Sequence, residues 1–215
     1  MFDLLAQSVA YVQSNPDQVW TALREHLWLS GIPLLIGMVI ALPLGWLSSR
    51  FAWAGTVFIN GFNTLRVIPS LAILFLSIPY LGLTVQAAVV ALTILVIPPM
   101  LISTDVAFRG IDPAIREAAY GMGMPPRQVL TQVDIPLAAP VILAGIKTAT
   151  VEVIASATLA AFIGAGGLGT FITLGFALYD NSILLVGAIP VALLAMGAEV
   201  GLSLTQRWVH PNRHG

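Results

Sequence analysis

The sequence predicts an all-α integral membrane protein, and three observations carry that prediction. Of its 215 residues, 58% are hydrophobic and only 9% charged, against about a quarter charged in soluble domains. Mean hydropathy is +0.92. The apolar residues fall into long runs broken by short polar stretches, and a run of about 20 residues is what one helical bilayer crossing needs. A backbone in lipid must satisfy its own N–H and C=O groups, and runs of this length do so as helices.

Taken in order, residues 1–26 form an N-terminal interfacial segment, within which Asp17 to Trp28 is short and amphipathic, with Trp20 and Trp28 suited to an aromatic anchor. It lacks the basic start and apolar core of a signal peptide. The first span covers about 27–49 and is closed by Arg50. The second, 55–78, is interrupted by Arg66 and Pro69 and reads as one bent crossing. The third, 83–107, contains Pro98 and Pro99; the fourth, 137–163, contains Lys147 and Glu152; the fifth is 183–205. Five spans in a single transmembrane domain, 1–215, put the termini on opposite sides of the membrane.

Basic residues in short loops stay cytoplasmic. In the five-span layout Arg50, Arg109, Arg116, Arg127, Arg207 and Arg213 share one face, which is therefore expected inside the cell, with the N-terminus outside. The opposite face carries Asp3, Asp17, Glu25, Asp180 and one arginine, Arg24. No cysteine is present, and His26, His210 and His214 are scattered, so zinc, thiol and disulfide chemistry are not expected. A formal net charge of −1 argues against nucleic acid as a partner.

The 112–136 loop is the one long polar-bearing interruption. Asp112 is a good helix N-cap and Pro113 fits the first helical position, so a helix is expected from there through Arg116, Glu117, Ala118 and Ala119, ended by Gly121 and Gly123. Pro125 and Pro126 restart a short helix, which Pro136 is expected to close at the mouth of the fourth span. The small residues Ala118, Ala119 and Gly123 let another protein approach, while Arg116, Glu117 and Arg127 supply charge.

The spacing Glu117-Ala118-Ala119, three residues, Gly123, nine residues, Val133-Asp134-Ile135-Pro136 resembles the EAA loop of bacterial ATP-binding-cassette (ABC) importer permeases, with Val133 and Ile135 replacing that pattern's Ile and Leu. The resemblance implies a type I importer permease fold in the bacterial inner membrane. It also implies a coupling helix, near Glu117 to Gly123, seated in a cleft of a separate cytoplasmic ATPase, with Arg116 and Pro136 in the same loop. A narrower resemblance covers roughly 17–206: Pro43-Leu44-Gly45, the run from Leu65 to Ala72, and the run from Ala157 to Gly169 look like permeases of osmoprotectant importers, which carry glycine betaine, choline or carnitine. Permeases for methionine and other small solutes share the architecture.

Arg66 and Glu152 are intramembrane charges, each needing a partner. Two readings stand open: with Pro69 they line or gate a translocation path, where Glu152 or the aromatic faces of Phe162, Phe171, Phe176 or Tyr179 would attract a quaternary ammonium, or they pair with each other to fix packing. Lys147 is expected to snorkel to the interface. The Gly164-Ala165-Gly166-Gly167-Leu168-Gly169 run has no following Lys-Ser/Thr and sits at the outer end of the fourth span, so it is not a phosphate loop. It reads as a re-entrant or loop segment, part of an outer gate, or else as a flexible turn. Small residues such as Gly31, Gly45, Gly145, Gly187 and Gly201 suit close helix packing, within the chain or in a dimer.

These readings combine into a permease subunit with no cofactor of its own. ATP and Mg would be bound by partner ABC ATPase subunits, a second permease copy or paralogue would complete the pore, an extracytoplasmic solute-binding protein would deliver solute, and lipid would surround the spans. A methionine permease is the alternative within this class. An ATP-independent secondary transporter or channel is the alternative outside it, and the absence of an internal repeat argues against it. A membrane enzyme is disfavoured because no paired carboxylates or Ser-His arrangement occur at a common depth.

Overall fold

The computed structural model describes residues 2–209, so His210, Arg213 and His214 lie outside the described residues. Among those described, every regular element is helical. Helix α1 is Phe2–Ser14, α2 Pro16–Arg50, α3 Ala52–Val67, α4 Ser70–Leu81 and α5 Val85–Arg109. Two short helices follow, α6 Pro113–Gly121 and α7 Pro126–Val129. A π-helical turn, Leu130–Asp134, then leads into α8 Ile135–Ser156, a 3-10 segment Ala157–Ile163, α9 Gly169–Leu178 and α10 Asn181–Val209.

Pro16–Arg50, Val85–Arg109, Pro126–Ile163 and Asn181–Gln206 are long and apolar enough to cross a bilayer, and the broken pair α3 and α4 makes a fifth crossing if counted as one span. Neither half reaches the length of a crossing alone. The break comes at Pro69, extended at φ −56° and ψ 136°, with Val67 ending one helix and Ser70 opening the next.

Two local expectations are corrected, and one connection that carried no expectation is defined. The stretch from Asp17 to Trp28 is not a separate interfacial helix: α2 runs without a break from Pro16 to Arg50, because Gly31 and Pro33 are tolerated where packing and lipid favour an unbroken ladder. Pro136 does not close a helix. The missing N–H of that proline is absorbed by the wider π turn just before it, in which the Ile135 N–H reaches back to the Leu130 carbonyl. Finally, the connection after the glycine run is itself helical over Gly169–Leu178.

The chain forms two compact units. The first comprises the chain up to Ile36, Ile68–Val96 and Thr150–Glu199; the second comprises Gly37–Val67, Ile97–Ala149 and the chain from Val200. In the first, Ala22, Ile154, Leu168, Phe171, Ile183 and Val186 make a buried cluster that Tyr11, Val19 and Leu23 cover. In the second, Ala107, Phe108, Ile111 and Ala138 pack with Trp46, Leu130 and Ile142. There Gly45 lies so close to Thr104 and the Leu101 carbonyl that a Cβ has no room, the small-residue packing that membrane helices use. Outward-facing Leu35, Val39, Leu193 and Met196 are 61–75% exposed, a surface suited to lipid rather than water.

Candidate functional site

The sequence candidates fall mainly at two places that combine polar side chains with special backbone geometry, one in each unit. In the second unit, α6 starts where Asp112 Oδ1 accepts a hydrogen bond from the Ala114 N–H at 2.9 Å, with Pro113 in the first turn. It ends with Met122 N–H on the Ala118 carbonyl, and Gly123 (φ +83°) turns the chain back. Glu117, Ala118, Tyr120, Gly123 and Arg127 are exposed, whereas Ala119 is buried. Pro136 is exposed in the first turn of α8.

Arg116 does not join that exposed face. Its Nε donates to Asp134 Oδ1 at 2.8 Å and its Nη2 to the Phe108 carbonyl at 2.9 Å. Asp134 has no solvent exposure, and its other oxygen accepts from Arg50 Nη2 at 2.7 Å. One buried carboxylate therefore takes a guanidinium on each oxygen, the only arrangement in which burying it is tolerable. The Arg50 guanidinium also lies 5.9 Å from the Trp46 ring centre, within cation–π reach. Beside this group, Arg109 holds Asp105 at 3.0 Å and donates to the Ser48 carbonyl. The end of α2, the end of α5, α6 and the root of α8 are thus tied by charge.

In the first unit, the turn after the 3-10 segment places Gly164, Gly166 and Gly167 at φ +72°, +85° and +81°, the left-handed region that only glycine enters cheaply. The Gly167 N–H donates to Glu25 Oε2 at 2.8 Å. A Cβ on Gly166 would run into that same carboxylate, and one on Gly169 into the backbone of Thr158. Beneath the turn His26 is fully buried; its Nε2–H donates to the Ile154 carbonyl at 3.0 Å and its Nδ1 has no partner. A cleft of about 470 Å³ opens beside the turn, lined by Asp17, Gln18, Thr21, Glu25, Thr170 and Phe171 among others.

The remaining sequence candidates are less gathered. Arg66 is exposed in the last turn of α3, Pro69 is exposed at the break, and Glu152 is half-buried on α8. Arg50, Arg109 and Arg116 have ion pairs with Asp134 or Asp105, and Glu152 has a partner too. Lys147 reaches Ser203 Oγ at 3.3 Å, so its ammonium has a partner within the chain. Phe171 makes a T-shaped contact with Tyr11, ring centres 6.1 Å apart, and also lines the cleft, while Phe162, Phe176 and Tyr179 are 57%, 75% and 94% exposed.

Sequence reasoning missed Asp134 and Glu25 as site residues. Asp134 had a signal: a carboxylate at the mouth of an apolar span, in a loop that also carries Arg116 and Arg127. Glu25 had none, since its partner is a backbone N–H 142 residues away.

Helices long enough for several crossings, an apolar outer surface, a fastened surface helix and a glycine turn define a multispan membrane transport subunit. The family described as binding-protein-dependent transport system inner membrane component matches residues 34–213, and the chain belongs to it. It is 38% identical over 203 residues to the choline transport system permease protein OpuBB of Bacillus subtilis (strain 168), covering 94% of each chain. It is 39% identical over 212 residues to the carnitine transport permease protein OpuCB of Listeria monocytogenes, covering 96% of this chain and 97% of that one. Its fold is that of the type I ABC importer permeases: an inward-facing structure of the MetNI methionine ABC transporter superposes with a TM-score of 0.77 at 22% identity, over 89% of this chain and 96% of the other.

Proposed function

We propose that this chain, a permease subunit of an ABC importer, carries quaternary ammonium osmoprotectants such as choline, carnitine or glycine betaine. The observation that supports this most directly is near-full-length identity of 38–39% to permeases named for choline and carnitine. The methionine reading rests on a likeness in fold alone, at 22% identity. Two permease chains form the path. Gly31, Gly61 and Gly201 support this, since a Cβ on any of them would meet nothing within 4 Å, leaving room for a neighbouring helix to approach.

The exposed face of α6, with Glu117, Ala118 and Gly123, is the contact for a separate ATPase that binds ATP and Mg. This chain needs no cofactor of its own. That face is cytoplasmic, as the arginines around it favour, which puts the C-terminus inside and the N-terminus outside. The glycine turn at Gly164, Gly166, Gly167 and Gly169 is then on the outer side, where it forms part of a gate beside the site at which an external binding protein delivers solute. Arg66, Pro69 and Glu152 are assigned to the path, with Pro69 as the flexible break.

Uptake of labelled choline, carnitine, glycine betaine and methionine by cells that have this importer as their sole route tests the solute class. Competition among the first three with no methionine uptake is expected; methionine uptake alone would sink it. Gly123→Trp is expected to abolish uptake while the chain still inserts, and normal uptake by that variant counts against the docking reading.

A further inference from the structure

We propose that Asp134 is the positioning residue that carries movement of α6 into the membrane-spanning helices, with Arg116 and Arg50 as its two handles. The inference rests on the reading of α6 as the ATPase contact.

Helix α6 has nine residues and buries one of them, Ala119. One buried methyl contributes about 0.8 kcal/mol, too little to hold a short helix under load. Hydrogen bonds to charged groups contribute about 1.5–3 kcal/mol each, and Arg116 makes two of them, to Asp134 and to the Phe108 carbonyl. The main attachment of α6 is therefore ionic, and it converges on one carboxylate.

That carboxylate is fully buried and bridges. Oδ1 holds Arg116 of α6, Oδ2 holds Arg50 at the end of α2, and the residue itself stands at the root of α8. The chain connection from α6 to α8, by contrast, passes through exposed Met122 and Gly123 and through Pro125, a turn poorly built to push. A displacement of α6 reaches α2 and α8 through ion pairs of 2.7 and 2.8 Å before it reaches them through the loop. The planar Arg116 guanidinium directs one N–H to Asp134 and another to the Phe108 carbonyl, a divided geometry that an ammonium matches less well.

The test uses the complete importer, with its ATPase and binding protein, reconstituted in vesicles, reading three quantities: ATPase co-purified with the permease, ATP hydrolysed, and solute taken up per ATP. For Asp134→Asn the expected result is undiminished ATPase capture and sustained hydrolysis, with solute per ATP falling about tenfold, inside the usual range of coupling between sites. Arg116→Lys, which keeps the charge but not the fork, is expected to lose less. A residue that only stabilised the fold would lower capture, hydrolysis and uptake together. Solute per ATP unchanged in Asp134→Asn overturns the proposal, and so does a fall that merely follows loss of captured ATPase. Should Asp134→Asn not assemble, Arg116→Lys and Arg50→Lys decide by the same ratio, and an unchanged ratio in both overturns it. Failure of the unaltered permease to capture any ATPase strikes the reading of α6 instead.

Discussion

The chain fastens two turns with a carboxylate each, and it does so in opposite ways. Asp134 is fully buried, carries an arginine on each oxygen and ties three helices. Glu25 is exposed and accepts a hydrogen bond from the Gly167 N–H. A carboxylate in a dry site with two guanidinium partners has no cheap alternative, because leaving them strands charge in low dielectric. One at the edge of a cleft can exchange a backbone N–H for water at a net cost of about 0.5–1.5 kcal/mol. The first is a dry joint; the second is a latch whose hydrogen bond water can replace.

The largest expected effect is therefore at the joint. Asp134→Ala leaves two guanidinium groups unpaired, and since Arg50 and Arg116 retain 35% and 22% side-chain exposure, the loss falls toward the low end of the roughly 3–5 kcal/mol seen when a buried pair is broken. Thermal unfolding of the purified chain measures it. A loss below about 1 kcal/mol, the range of surface pairs, would put Asp134 in the same class as Glu25 and remove the contrast.

Next comes the division between the two handles. Arg116→Met and Arg50→Met each leave Asp134 its other arginine, but the first also removes the donor to the Phe108 carbonyl and is expected to cost more, by about 1 kcal/mol, one hydrogen bond's worth. Equal losses in the same unfolding assay would mean that the Phe108 contact contributes nothing.

At the glycine turn, Gly166→Ala forces an L-residue to φ +85°, costing about 1–2 kcal/mol, and pushes the Glu25 carboxylate away. Faster amide exchange at Gly167 reports the opened latch, and unchanged exchange would show that Glu25 adapts. The smallest effect is Glu25→Gln, which keeps an oxygen acceptor but loses its charge, expected to cost less than about 1 kcal/mol while still raising Gly167 exchange. Destabilisation as large as that of Asp134→Ala would mean the latch is no latch.

Much of this architecture is legible in the amino-acid order. Apolar runs of spanning length mark the long helices, Asp112 and Pro113 mark the start of α6, and Gly123 marks its return. Local signals suffice there because caps, turns and hydropathy act over a few residues. The order of residues does not show that Pro136 is carried inside a helix, since the accommodating π turn depends on what packs against Leu130–Asp134. Nor does it show that α2 continues through the stretch with Trp20 and Trp28, because an amphipathic stretch before an apolar run fits a separate interfacial helix as well as the start of a long one.

The sequence by itself determined the solvent, the helical class, the family and the surface helix, because composition and short-range spacing are sufficient for each. Tertiary structure alone decided the partners of the charges. Arg116 turned from the exposed face toward Asp134, Glu25 found a glycine N–H far along the chain, and Phe171 went into a core with Tyr11. The physical reason is that the cost of a charge or an aromatic ring depends on what surrounds it, and in a chain with so few charged residues each one is settled by a distant neighbour rather than an adjacent one.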